Sequence, residues 1–309
     1  MILSRTAASL YWMARYMERA ENIARLLNVS LQMSLLPGTR SQEVSTPAAI
    51  VGALSYLPTP EHCSVEQVLY TMALDPANPS SICNCIRNAR ENARMVRGKI
   101  TAEMWENLNT TWLDMRAYTA DDLTGAAAGQ LFDWIKERSH LFRGVTYGTM
   151  LRGDSFHFTR LGTFLERADN TARILDVKYH RILPEAAQES VMDYYQWAAL
   201  LHSVSAFEAY RDIYRERITP QRVAEVLILS PNVPRSLRAC VEEIAGVLQH
   251  IQGDSGHRAK RLAAELHARL SFLRIDEILD EGLHRWLSQF LDDIGRLGLH
   301  IQEAYLEAA

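Results

Sequence analysis

Apolar positions recur three and four residues apart over long stretches of this chain, with little of the strict alternation that marks strands. In the first stretch Leu10, Met13, Met17, Leu27 and Leu31 keep helical spacing, and Pro37-Gly38 supply a stop. With Thr6 as the cap, the pattern predicts a helix near residues 6–35, roughly 40 Å long at the usual rise per residue. The polar stretch from Thr39 to Thr46 has no period and is predicted to be a loop.

Shorter helices are predicted at 47–56 and 65–74, followed by a break at Asp75-Pro76-Ala77-Asn78-Pro79. Ser80 or Ser81 can cap a helix running to about Arg97, before Gly98. Thr101 opens another, in which Trp105, Leu108, Trp112 and Met115 share one face. Segments at 127–151 and 154–183 come next, the second closed by Pro184. The remaining helices are predicted at 188–214, 220–229, 234–252, 257–273 and 277–307, with Pro220 and Pro234 in first turns and Thr219 capping the former. Short connections between long helices imply antiparallel neighbours. The expected fold is therefore all-α, an elongated antiparallel helical bundle forming one continuous domain over residues 1–309.

Two segments of this pattern are near copies. Residues 16–29 read YMERAENIARLLNV and residues 164–177 read FLERADNTARILDV, identical at eight of fourteen positions without a gap. The offset places Thr6 opposite Asp154, so the two copies share a start signal as well, and an internal duplication is expected. At about 100° per residue, Glu18, Asn22 and Arg25 fall on one stripe, as do Glu166, Asn170 and Arg173. Arg19 and Arg167 flank those stripes, and Ala20, Ala24, Ala168 and Ala172 permit close helix approach.

Two readings of the copies compete. In the first, Glu21 with Arg25 and Asp169 with Arg173 are ordinary i,i+4 pairs on a solvated face, worth a few tenths of a kcal/mol. In the second, the two helices face each other, and Glu18 and Glu166 meet arginines of the opposite copy in a partly buried network. Buried charge is costly unless paired, so such a network would serve specificity or function.

Composition narrows the classes. Hydrophobic residues make up 48% and charged residues 23%, as in a folded globular chain. Lys+Arg 33 against Asp+Glu 37 gives no overall field for nucleic acid or an acidic membrane, so any anion site must be local. No run of about 18 apolar residues occurs, and Met1-Ile2-Leu3-Ser4-Arg5 does not open a signal peptide, which leaves a soluble cytoplasmic protein as the expectation. Cys63, Cys83, Cys85 and Cys240 lack zinc-site spacing and read as reduced packing residues.

Self-contained catalytic motifs are missing: there is no phosphate-binding Gly-x-x-x-x-Gly-Lys loop, Gly-x-Ser-x-Gly elbow or His-Glu-x-x-His helix. His300 with Glu303 and Glu307 is the nearest approach to a bundle metal site, but its order is His-x-x-Glu and no second copy exists, so no metal is expected. Arg87, Arg90, Arg94 and Arg97 lie at spacings of three, four and three along one face. They read either as a solvated surface relieved by Glu91 or as forked donors for phosphate or carboxylate. The six tryptophans, Trp12, Trp105, Trp112, Trp134, Trp197 and Trp286, read mostly as core, and Tyr194, Tyr195 and Trp197 form the densest aromatic group.

The segments from Leu3-Ser4-Arg5 through Leu10-Tyr11-Trp12-Met13 to Glu18-Arg19-Ala20-Glu21-Asn22, and from Phe158 through Leu165-Glu166-Arg167-Ala168-Asp169, resemble the alpha-E family of bacterial helical domains. Asn78-Pro79-Ser80-Ser81, Ala89-Arg90-Glu91-Asn92-Ala93-Arg94, Glu103-Met104-Trp105 and Pro234-Arg235-Ser236 extend the resemblance over nearly the whole chain. Gly162-Thr163 departs from it, since an arginine would follow the glycine. The resemblance implies an ATP-grasp-type ligase as partner, with a transglutaminase-like protein nearby. It implies an accessory subunit engaging the ligase or its acceptor peptide, with ATP and Mg used by the partner and no cofactor in this chain. The rival implication is an enzyme of the same pathway using the duplicated Glu and Arg residues for acid-base or anion-stabilising chemistry. A third is a scaffold that only oligomerises.

Overall fold

The computed structural model describes residues 2–34, 44–60, 62–182, 191–251 and 256–307. Pro37-Gly38, Pro184 and most of the expected loop at 39–46 lie outside them. Among the described residues all regular structure is helical, as the spacing of apolar residues predicts. The chain forms two compact units that meet inside one helix, Met1–Thr163 and Phe164–Glu307.

The first unit is built around α1 (Ser4–Ser34). Ala20 through Ala24 are all buried, so this helix has no free face in mid-course and must be surrounded. Around it come α2 (Thr46–Ile50), a 3-10 turn at Leu54–Tyr56, α3 (Val65–Ala73), α4 (Ile82–Met95), α5 (Ala102–Met115) and α6 (Gly125–Thr149). Chiefly α4 and α6 cover α1, while α5 packs on α4 and α6. Ile23, Leu27, Met72, Ile86, Phe132 and Ile135 are among the side chains of its apolar core. Arg90 of α4 and Arg97 just past its end meet Asn109 and Trp105 of α5, partner numbers falling as the first rise, the mark of antiparallel neighbours.

Local signals explain several boundaries. Ser64 and Gln67 form a capping box at α3, and the Ser81 and Thr101 hydroxyls accept first-turn amides of α4 and α5. Asn78 is fully buried because it builds the turn before α4: its amide donates to the Thr71 carbonyl at 2.9 Å and accepts from the Ser80 N–H at 3.0 Å. Two expected caps differ. The Leu3 carbonyl already accepts from the amides of Thr6 and Ala7, so Thr6 lies inside the first turn of α1. Asp154 is the first residue of α7 (Asp154–Ile182), where the Gly153 carbonyl takes the His157 amide. The Asp154 carboxylate instead accepts the backbone N–H of Ile2 at 3.0 Å.

A second contact joins α7 to α1. A Cβ built on Gly162 would lie 2.2 Å from the Tyr11 carbonyl oxygen, so glycine there lets the two backbones touch. Since Ile2 meets Asp154 and Tyr11 meets Gly162, numbering rises together and the two helices begin side by side in parallel.

The second unit holds the rest of α7, then α8 (Val191–Ser203), α9 (Phe207–Tyr214), α10 (Pro220–Leu229), α11 (Leu237–His250), α12 (His257–Phe272), α13 (Ile275–Glu281) and α14 (Leu283–Ile301), which ends in a π turn at Gln302–Leu306. Leu165 touches Gly298 and Asp176 pairs with His284, so α7 runs antiparallel to α14. The expected helix at 188–214 is broken at Ser205, whose φ of 52° is left-handed, and the one at 277–307 is interrupted by Gly282 at φ 97°. Thr219 caps α10 with Pro220 in its first turn, as predicted. Pro234 does not open α11; Ser236 caps it, accepting from the Ala239 amide. No helix among the described residues is long and apolar enough to cross a membrane.

Candidate functional site: a caged carboxylate on α1

The most concentrated chemistry in the first unit lies where the first Glu-Arg segment of α1 meets α6. Glu21 is completely buried. Its Oε1 accepts from Arg25 Nε at 2.9 Å and forms an ion pair with Arg25 Nη2 at 2.8 Å, with His140 Nε2 3.5 Å away. Its Oε2 accepts from the Ser139 hydroxyl at 2.7 Å and from Arg143 Nη1. The same Arg143 nitrogen donates to Glu18 Oε2 at 3.3 Å and to Ser139 Oγ at 3.1 Å. Arg25 Nη2 lies 3.0 Å from His140 Nε2, and farther along Asn28 donates to Asp133 at 3.2 Å. These pairs also fix the antiparallel packing of α1 and α6, because partners on α6 descend as α1 ascends.

Two buried carboxylates this close would be costly to keep ionised without the guanidinium groups around them. Arg143 bridges them and Arg25 closes the outer side of Glu21. The two arginine side chains remain 25% and 13% exposed, so the cage is sealed inward and reaches solvent through these cations and the exposed His140. Asn22 is buried on the same stripe, and Arg19 is half-buried with its guanidinium 5.9 Å from the Tyr16 ring.

The second copy is built differently. Glu166, Arg167 and Asn170 are buried, and Arg167 donates to the Pro234 carbonyl at 3.3 Å, holding the turn before α11. Arg173 forms its 2.8 Å pair with Asp169 at the surface, with side chains 45% and 25% exposed. The solvated i,i+4 reading thus describes Asp169 with Arg173 and fails for Glu21 with Arg25. Residue type and spacing are alike in the two copies; what differs is that α6 lies over Glu21.

The arginine row on α4 is partly a surface feature. Glu91 pairs with Arg94 at 3.1 Å and with Arg90, while Arg87, Arg94 and Arg97 are exposed. Arg97 and Arg90 both lie over the Trp105 indole, 4.6 Å and 5.4 Å from its centre, an arrangement that holds both cations against α5. Of the six tryptophans Trp197 and Trp286 are buried, and Trp112 and Trp134 pack half-buried against the apolar core of the first unit, in keeping with the core reading. Trp12, Trp105 and Trp134 are half-buried and each carries an arginine over its ring, so they act as platforms for charge. Tyr194 and Tyr195 are exposed. Among the described residues no group of three or more His, Cys, Asp or Glu side chains could hold a metal ion, and His300 forms only a 3.5 Å pair with Glu303.

Sequence reasoning found Glu18 and Arg25 but missed Ser139, His140 and Arg143. The available signal was Ser139-x-x-x-Arg143, two polar residues one turn apart on the buried side of a helix otherwise lined by Leu131, Phe132, Ile135 and Phe142.

A family model described as a predicted alpha-helical domain with a conserved ER motif matches residues 2–306. The chain belongs to the Alpha-E family. Of its Glu-Arg dipeptides, Glu18-Arg19 and Glu166-Arg167 lie in the two near-copied segments, and both of these glutamates are buried. Uncharacterised proteins of Mycobacterium bovis and Mycobacterium tuberculosis are 22% identical over 94% of this chain. The match takes in 35% of their length, so this Alpha-E chain spans about a third of those relatives. No solved structure matches it.

Proposed function

We propose that this Alpha-E protein is a non-catalytic accessory subunit of an ATP-grasp-type amide or peptide ligase system, engaging the ligase or its acceptor peptide. The observation that carries this reading is the state of Glu21: both carboxylate oxygens are taken up by Arg25, Ser139 and Arg143 within the protein. A general acid or base must exchange its proton with a substrate within hydrogen-bond reach. A carboxylate saturated by two guanidinium groups and a hydroxyl is suited to fixing helices instead. The enzyme reading requires one of these carboxylates to be released into an open cleft.

The matched region being 35% of the mycobacterial relatives supports a module that works beside other domains. The exposed side of α4, with Arg87, Arg94, Arg97 and the 64% exposed Met95, is the surface we assign to the partner. Arginine and methionine favour interfaces, and forked guanidinium groups suit carboxylates of an acidic partner. ATP and Mg are used by the ligase, a transglutaminase-like protein is a second candidate partner, and the setting is the cytoplasm.

The test is co-expression with an ATP-grasp-type ligase, with ATP turnover measured in the presence and absence of this chain. A complex that raises turnover, and keeps doing so with Glu18→Gln or Glu166→Gln in folded protein, is the expected result. No complex and unchanged turnover would sink the accessory role, whereas folded variants that bind but lose turnover would favour the enzyme reading.

A further inference from the structure

Helix α6 buries one side in the first unit, through Ile135, Ser139, Phe142 and Thr146, and leaves the opposite side open. On that open side Glu137, Leu141, Gly144 and Gly148 fall within about 60° of one another at helical spacing, and all four are exposed. The exposed Tyr147 flanks them, and Leu151, 88% exposed, follows just past the helix end. Three large apolar side chains thus stand in solvent along one short stretch, the kind of surface that marks a contact with another molecule. A Cβ on Gly144 or Gly148 would meet nothing within 4 Å, so the backbone itself is accessible between Leu141 and Leu151.

The charges at the two ends of this face say what covers it. Glu137 has no ion pair or hydrogen bond to its side chain among the described residues. At the other end Arg152 Nη2 donates to the Tyr147 carbonyl at 2.8 Å, and its guanidinium lies 4.1 Å from the centre of the Phe156 ring. These contacts hold the cation at the end of α6, yet it meets no carboxylate among the described residues. Glu137 and Arg152 stand equally far in sequence on either side of the Gly144-Val145 midpoint, and so do Leu141 and Gly148. The face therefore complements a reversed copy of itself. A copy laid on it in the same direction would set Glu137 against Glu137 and Arg152 against Arg152.

We infer that two copies of this chain pair through α6, antiparallel about a two-fold axis at Gly144-Val145. Leu141 of each copy seats on the Gly148 backbone of the other, and Glu137 meets the other copy's Arg152 at both ends of the contact. Such a contact is isologous, so each interaction occurs twice. The face is roughly 20–30 Å long and about 10 Å wide, less than the roughly 800 Å² per partner of a stable interface. The dimer is accordingly weak and forms with rising concentration. It uses none of the α4 arginines and stands independently of the accessory reading.

Sedimentation equilibrium of the full chain at increasing concentration tests this pairing. Wild type is expected to pass reversibly from monomer to dimer, and added salt to weaken the dimer. Gly148→Leu fills the seat at an exposed position and should weaken dimerisation by about tenfold or more, with an unchanged circular dichroism spectrum. Glu137→Arg should do the same by setting arginine against arginine. Adding Arg152→Glu to Glu137→Arg reverses both signs and should recover the dimer, as antiparallel pairing of identical faces requires. A chain that stays monomeric at every concentration, or a dimer that Gly148→Leu and Glu137→Arg leave intact, overturns the inference. So does a folded double variant that pairs no more tightly than Glu137→Arg alone.

Discussion

The carbonyl oxygen of Tyr11 occupies the space that a side chain at position 162 would need: an added Cβ would lie 2.2 Å from it. Neither backbone can retreat without pulling α7 off α1. Gly162→Ala is therefore expected to destabilise the protein by about 1–3 kcal/mol in urea denaturation. Gly144→Ala on α6 supplies the contrast, because a Cβ there meets nothing within 4 Å and the helix gains about 0.5–1 kcal/mol. If the two substitutions shift stability alike, the close approach is not what selects glycine.

Glu21 and Asp169 occupy equivalent places in the two copies and should behave unlike each other. Glu21→Ala strands Arg143 beside Glu18 and removes the partner of Arg25, a loss on the order of 3–5 kcal/mol for a broken buried pair. Asp169→Ala removes a surface pair and should cost within about 0.5 kcal/mol. Equal losses in chemical denaturation would show that burial does not distinguish the copies.

Asp293, buried on α14, accepts from Arg269 Nη2 at 2.6 Å, from Arg296 and from Gln289. Burial works to raise its pKa, but the hydrogen bonds from Arg269 and Arg296 prevail and hold it below the ordinary carboxylate value. A depressed folded value means the contribution is complete above an unfolded pKa of about 3.9 and disappears as pH falls through the folded one. The melting-temperature gap between wild type and Asp293→Asn should be level from pH 7 to pH 5 and close below about pH 4. A gap that widened on acidification would contradict the assignment.

Reversing charge on the α4 surface separates docking from folding. Arg94→Glu with Arg97→Glu should change stability by less than about 1 kcal/mol, since both side chains are exposed. The double variant should nevertheless lose ligase capture in a pull-down, and capture by wild type should weaken with added salt. Undiminished capture would move the partner to another face.

How much of this was legible beforehand depended on the range of the interaction. Caps written within four residues, such as Ser81, Thr101 and Thr219, were readable because donor and acceptor are neighbours in sequence. Ser205 was not, since a serine forced to a left-handed φ carries no mark of it and apolar spacing continues on either side. The Glu18-Asn22-Arg25 stripe pointed to buried charge, yet Glu21 read equally well as half of a surface pair. Only α6, more than a hundred positions away, decides between these, and Arg143 belongs to no local pattern that announces it. Gly162 drew notice only through its neighbour Thr163, where the family resemblance implies arginine, and it sits at a backbone contact whose other half, Tyr11, no local rule connects to it.

The cage around Glu21 also governs how α6 can settle on α1. Apolar stripes of Leu and Phe tolerate sliding by one turn, about 5.4 Å, with little change in the area they cover. Arg143 and Glu21, 122 positions apart, do not, because a one-turn slip would strand two carboxylates in a dry interior. The charged cluster thus acts as an index pin: it contributes little to how tightly the two helices adhere and a great deal to which single alignment they accept.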